Sequence, residues 1–190
     1  MTDAQIPNDI RALADAFDAN LADAHALIDG LSPDEGVWQA APGTWSVSEC
    51  LDHLATGTRV YLVPMHAAAA RARSSSSRRR GPAVPGVVGS WFVAMLEPPP
   101  KWWSTLKAPS KIRPRTAPPL GDAFNDFVAS HNDARAFLID NADIDLAGVG
   151  FANPFVAGIR FSLATGLHVT ASHERRHLQQ AWRVRRAVGR

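Results

Sequence analysis

The sequence predicts an all-α protein, a four-helix bundle with a long loop-rich crossover between its second and third helices. Three observations lead there. Four long segments carry apolar residues at three- and four-residue steps, so each buries one stripe as a helix. Helix starts are marked by side-chain caps, clearest at Ser46. No stretch alternates convincingly enough for a strand, and no internal repeat is present. Four amphipathic helices bury their stripes against one another, which favours a bundle.

The first helix is expected in "PNDIRALADAFDANLADAHALIDG", where Ile10, Leu13, Phe17, Leu21, Ala24 and Ile28 form the stripe. Asn8 is the expected cap and Gly30 the stop, followed by "SPDEG" and a loop. The second helix is expected from about residue 47 to about 64. Ser46 and Glu49 form a capping box before it, with Trp45 and Cys50 as the flanking apolar staple. Val47, Leu51, Leu54, Thr58, Tyr61 and Met65 lie on one side.

Residues 71–119 break the pattern with "RARSSSSRRRGPAVPG", three consecutive prolines and "KAPSKIRPRTAPP". They read as an irregular excursion within a single domain spanning 1–190, because they lack the continuous apolar pattern of a separate core. The third helix resumes in "GDAFNDFVASHNDARAFLIDNA", with Phe124, Phe127, Val128, His131 and Leu138 on one face. After a Gly/Pro-bearing connection, the last helix is expected from about Leu163 to about Ala187, with Ser162 as its cap.

Composition narrows the class. Hydrophobic residues make up 46% of the 190 residues and charged residues 20%, as in ordinary globular proteins. The single cysteine, Cys50, excludes an internal disulfide framework and a Cys-rich zinc site, and fits a cytoplasmic setting. The N-terminal residues do not read as a secretion signal, and no window approaches a membrane span. Neither a membrane nor a nucleic acid is an expected partner: the five arginines of "RARSSSSRRRG" have no interleaved aromatics and read as a solvated loop. No phosphate-cradling loop, nucleophile elbow or dinucleotide fingerprint is present.

The chemistry sits in "HVTASHERRHLQQAWRVRR". His173 and His177 are four residues apart, so both rings leave one helical face about a turn apart. That face also carries Gly166, Thr170, Gln180 and Val184 and is the one expected to bury. Inward imidazoles need partners, since an unsatisfied buried group costs roughly 1–3 kcal/mol. A metal ion is one partner; backbone or carboxylate groups are the other. His53, at the edge of the second helix's stripe beside Cys50 and Gly57, adds a third ligand from another helix. Three His ligands leave a position for water or substrate.

"PGTWSVSECLDHL" followed far downstream by "HERRHLQQAWRV" resembles the DinB-like superfamily. Overall length, the preceding helix and the proline-rich middle segment extend the resemblance over most of the chain. It implies an antiparallel four-helix bundle holding one divalent metal, zinc or nickel, through His53, His173 and His177. It also implies, less specifically, a transferase or isomerase using a low-molecular-weight thiol such as mycothiol or bacillithiol.

Three readings stay open at this point. One is a metal-dependent transferase or hydrolase acting on a small electrophilic substrate. Another is a non-catalytic metal- or ligand-binding bundle of a stress response. The last is a structural bundle with core histidines. Cys50 reads as a buried apolar residue, His131 as a core or rim histidine, and Gln180 as a packing amide or a group that orients His177. Trp45 reads as a core anchor. Trp91, Trp102 and Trp103 read as loop anchors, cover over the site, or part of a partner's surface. His25, His66 and His168 have no expected partner. A homodimer through apolar helix faces is expected.

Overall fold

The computed structural model describes residues 6–99 and 108–189. They form six helices, a short 3₁₀ turn and a tiny two-stranded sheet. The helices are α1 (Asn8–Ile28), α2 (Pro33–Val37), α3 (Val47–Ser74), α4 (Val87–Leu96), α5 (Leu120–Asp140) and α6 (Leu163–Arg185). The 3₁₀ turn is Ser110–Ile112, and strands β1 (Gly150–Ala152) and β2 (Arg160–Ser162) pair antiparallel.

The apolar stripes account for the packing. Ile10, Leu13, Phe17 and Ala24 of α1 are buried, as are Val47, Leu51, Leu54, Tyr61 and Met65 of α3. α1 and α3 each pack against both α5 and α6. The Ser46–Glu49 capping box is formed: Glu49 N–H donates to Ser46 Oγ, and Ser46 N–H donates to Glu49 Oε2. Ser162 caps α6 by accepting from Thr165 N–H.

Four local expectations change. Asn8 is not a cap; α1 starts after Pro7 without a side-chain cap bond. "SPDEG" is a helical turn of its own, closed by a second capping box between Ser32 and Glu35. α3 does not end near 64: it runs through Pro64 to Ser74, because Met65, Ala68, Ala69 and Ala72 bury on the same side. A proline removes one hydrogen bond, and tertiary burial over the next two turns outweighs that loss. The excursion is also more ordered than its composition suggests. It contains α4, which packs on α6, where Gly89 lies so close to Thr165 that a Cβ would meet its hydroxyl at 2.4 Å.

The buried apolar residues divide into two clusters. One gathers Phe17, Met65, Phe137, Phe151 and Leu167; the other gathers Leu27, Cys50, Leu54, Phe127 and Leu178. Buried polar residues accompany them: Asn20 of α1, His131 of α5 and Glu174 of α6 are hydrogen-bonded to one another, and His53 of α3 is buried at the candidate site.

Candidate metal centre

His53 projects from the second turn of α3, and His173 and His177 from the middle of α6. One ligating nitrogen from each lies within 4.8 Å of the others. The ring centroids are 4.5–4.9 Å apart. His53 is fully buried, while His173 and His177 are half-buried. Among the described residues this is the one group of three or more His, Cys, Asp or Glu side chains placed to share an ion.

Hydrogen bonds around the rings assign their tautomers. His53 Nδ1–H donates to the Ile112 carbonyl at 2.5 Å, a partner that can only accept. His177 Nδ1–H donates to Gln180 Oε1 at 3.0 Å. In both rings the neutral form then leaves a lone pair on Nε2. His53 Nε2 lies 3.0 Å from His173 Nε2. Nitrogens sharing a tetrahedral ion at about 2.0–2.1 Å would stand about 3.3 Å apart, so the rings are spaced on the scale of a shared metal. Partners of this kind fix ring orientation and ligand basicity.

All three imidazoles are held neutral. Burial lowers His53, against the pull of the Ile112 carbonyl. Burial, then the neighbouring His177 and His53, lowers His173 well below the ordinary imidazole value. Burial and His53 bring His177 down to about 3. A cation binding here competes with few protons at neutral pH.

Trp45 tilts against His53 and His177 at 4.6 and 5.5 Å, so it walls the cluster as well as anchoring the core. Gly57 faces His173, not the His53 ring as the sequence suggests: a Cβ there would touch His173 Cε1 at 3.4 Å. Gln180 is the orienting partner of His177.

Cys50 is buried and burial raises its thiol far above the ordinary value, which fits a packing role. His131 is a core histidine. Its Nδ1–H donates to both Glu174 oxygens at 3.2 Å, and Asn20 donates to Glu174 Oε2 at 2.9 Å. His25 and His66 lie against Phe124 and Phe137, and His168 donates to the Ala83 carbonyl. Trp91 is exposed; Trp102 and Trp103 lie outside the described residues. In the basic segment, Arg79 is paired with Asp9 at 2.7 Å and Arg73 with Asp143 at 2.9 Å.

Two contributors were not read from the sequence. The first is the Ile112 carbonyl, which belongs to the excursion. The second is Asp52, which accepts from Arg115 N–H at 2.8 Å and from Arg115 Nε–H at 2.6 Å. That clamp pins the stretch carrying Ile112 onto α3. An acid directly preceding His53 on a burying helix face was the available signal. On the other flank, Ser172 donates to Glu97 at 2.6 Å, Arg175 is ion-paired with Glu97, and Arg176 donates to the Met95 carbonyl. The end of α4 and the stretch around Arg115 are thus each fastened to a helix that carries the histidines.

No helix among the described residues is long and apolar enough to cross a membrane. Searches of curated proteins and of solved structures returned no match. The model of the DinB superfamily matches residues 16–181. With that match spanning most of the sequence and both histidine-bearing blocks, the chain belongs to the DinB superfamily.

Proposed function

We propose that the chain is a metal-dependent enzyme that binds one divalent ion, zinc or nickel, through His53, His173 and His177. The reaction is an S-transfer from a low-molecular-weight thiol, or a hydrolysis, at a small electrophilic substrate. The observation that carries the reading is the convergence of three neutral imidazoles with two of their Nδ1–H groups already engaged, which turns Nε2 lone pairs toward a common point. The domain is one unit spanning 1–190, and we read α1, α3, α5 and α6 as an antiparallel four-helix bundle; the packing of α1 and α3 on both α5 and α6 supports this.

A divalent ion in such a site lowers the pKa of a bound thiol or water and holds it for attack. The chain's own residues do the rest. Ile112 and Gln180 fix the ring tautomers. Trp45 shields the cluster from water on one side. Cys50, buried and protonated, does not compete as nucleophile. Among the described residues the group consists of three His side chains, with no Cys, Asp or Glu placed alongside them. That favours an open, reactive site over a purely structural one.

The test is elemental analysis of protein purified without chelator, beside the His53→Ala/His173→Ala/His177→Ala variant. About one metal per chain in the parent, absent from the variant, is the expected result. Stoichiometric metal retained by the variant refutes the assignment. With metal bound, turnover across thiol and electrophile panels is expected, and none at all refutes the enzymatic part.

A further inference from the structure

We propose that the outer face of α4 pairs with the same face of a second copy of this chain, each copy's Trp91 entering a hollow on the other. The inference stands apart from the metal reading and rests on different residues.

α4 is a surface helix without a polar side. Phe92, Val93 and Leu96 pack on the apolar core, and Gly89 lies against Thr165 of α6. Val84, just before the helix, and then Val87, Val88 and Trp91 recur at three- and four-residue steps and share the opposite face. They are 49, 90, 62 and 57% exposed. Among the described residues these are four of the seven exposed large hydrophobic side chains, concentrated in eight consecutive positions. The helix itself, "VVGSWFVAML", holds no charged residue. An ordinary surface helix is charged or polar on its outer side, whereas one that is apolar all round is covered all round.

The face carries both halves of its own complement. Trp91 stands out from it. One turn back, about 6 Å along the axis, Val87 and Val88 border a hollow. The hollow measures about 310 Å³ and is lined also by Gly86, Gly89, Ala147, Arg160, Phe161 and Thr165. A two-fold axis crossing α4 at the level of Gly89 runs the two helices antiparallel. It sets Trp91 opposite the partner's Val87, at the mouth of that hollow, and Val88 opposite the small Ser90 of the partner subunit. The same rotation brings the partner's Trp91 to this chain's hollow, as an isologous contact requires. Arg160, held by the Gly150 carbonyl, offers an entering indole a guanidinium plane. Close to such an axis a charge would meet its own sign, a cost that the charge-free helix avoids. The four exposed side chains present roughly 450 Å². Two copies therefore close roughly 900 Å² before the rims of the hollows are counted, near the ~1,000 Å² that a specific interface needs. A dimer of micromolar strength is the expectation.

The test is sedimentation velocity of the full chain across micromolar concentrations. The parent is expected to pass from monomer to dimer and to stop there. Trp91→Ala removes the inserted ring, and Ala147→Phe fills the hollow without touching α4. Each is expected to raise the dissociation constant roughly thirtyfold or more. Mixing these two variants tests the reciprocity. In a mixed pair the Trp91 kept by the Ala147→Phe copy enters the open hollow of the Trp91→Ala copy, so the mixture is expected to dimerise more tightly than either variant alone. Val87→Glu changes a side chain almost wholly in solvent, so the monomer keeps its fold while the pairing would bury a charge. It is expected to stay monomeric with the parent's helical circular dichroism spectrum. A parent that stays monomeric overturns the proposal, and its retention on phosphatidylglycerol vesicles would then assign the face to a lipid surface. A dimer that no variant weakens, a mixture no tighter than its components, or a parent that grows into open-ended assemblies overturns it as well.

Discussion

Replacing Gln180 with leucine removes the acceptor that orients His177 while keeping a side chain of similar bulk. Gln180 is half-buried near the end of α6, so the change leaves the apolar core intact and costs little stability. The His177 Nδ1–H···Oε1 bond is 3.0 Å long, an ordinary neutral hydrogen bond. Without it the ring can rotate and can take the tautomer that protonates Nε2, the nitrogen turned toward His53 and His173. Losing such a partner typically weakens metal affinity 10–100-fold, or about 1.4–2.8 kcal/mol. The expected result is a zinc dissociation constant raised by that range in competition with a chromogenic chelator, with an unchanged apo-protein melting temperature. Gln180→Glu, which supplies a stronger acceptor, should match or exceed the parent. A leucine variant within twofold of the parent would refute the idea that this bond prepares the ligand.

Two further outcomes test the surroundings. Glu174→Ala leaves His131 Nδ1–H without its acceptor and Asn20 with only the Ala171 carbonyl, in a core where His131 Nε2 already has no partner; a loss of about 2–4 kcal/mol is expected in chemical denaturation, and under 1 kcal/mol would contradict the buried-network account. Asp9 is held below its ordinary carboxyl value because, against burial, hydrogen bonds from Arg79 and Ala83 N–H win. A lowered carboxyl pKa stabilises the fold above the unfolded value and is lost as pH falls through the folded one. Asp9→Asn should therefore melt lower than the parent at pH 7 by about 1 kcal/mol of stability, the gap closing below the ordinary value of 3.8; a gap that persists in acid would contradict it.

The long helices were legible because their stripes are built from large side chains. The Ser46 box and the Ser162 cap marked two starts to the residue. The end of α3 was hidden because Pro64 reads as a stop and the burial that overrides it rests on alanines, which carry little hydrophobic signal. α4 was hidden because "VVGSWFVAML" is apolar without a period, and three-residue strands are too short to alternate. At the site, the side chains of His53, His173, His177 and Gln180 were readable from helical spacing. The acceptor for His53 was not, because a backbone carbonyl leaves no mark in residue identity, and only the fold brings residue 112 to residue 53.

That carbonyl has a consequence for how the chain tolerates change. Any residue at position 112 still presents an oxygen to His53 as long as the backbone keeps its path, so the identity of the side chain matters little there for the imidazole. Removing or adding one residue between Ile112 and Arg115 is different: the anchor at Asp52 would stay put while the oxygen moved by a residue's length. For the imidazole, a conservative change such as Ile112→Val is therefore tolerated where a change in length is not, so that single deletions between Ile112 and Arg115 should weaken the centre far more than Ile112→Val does.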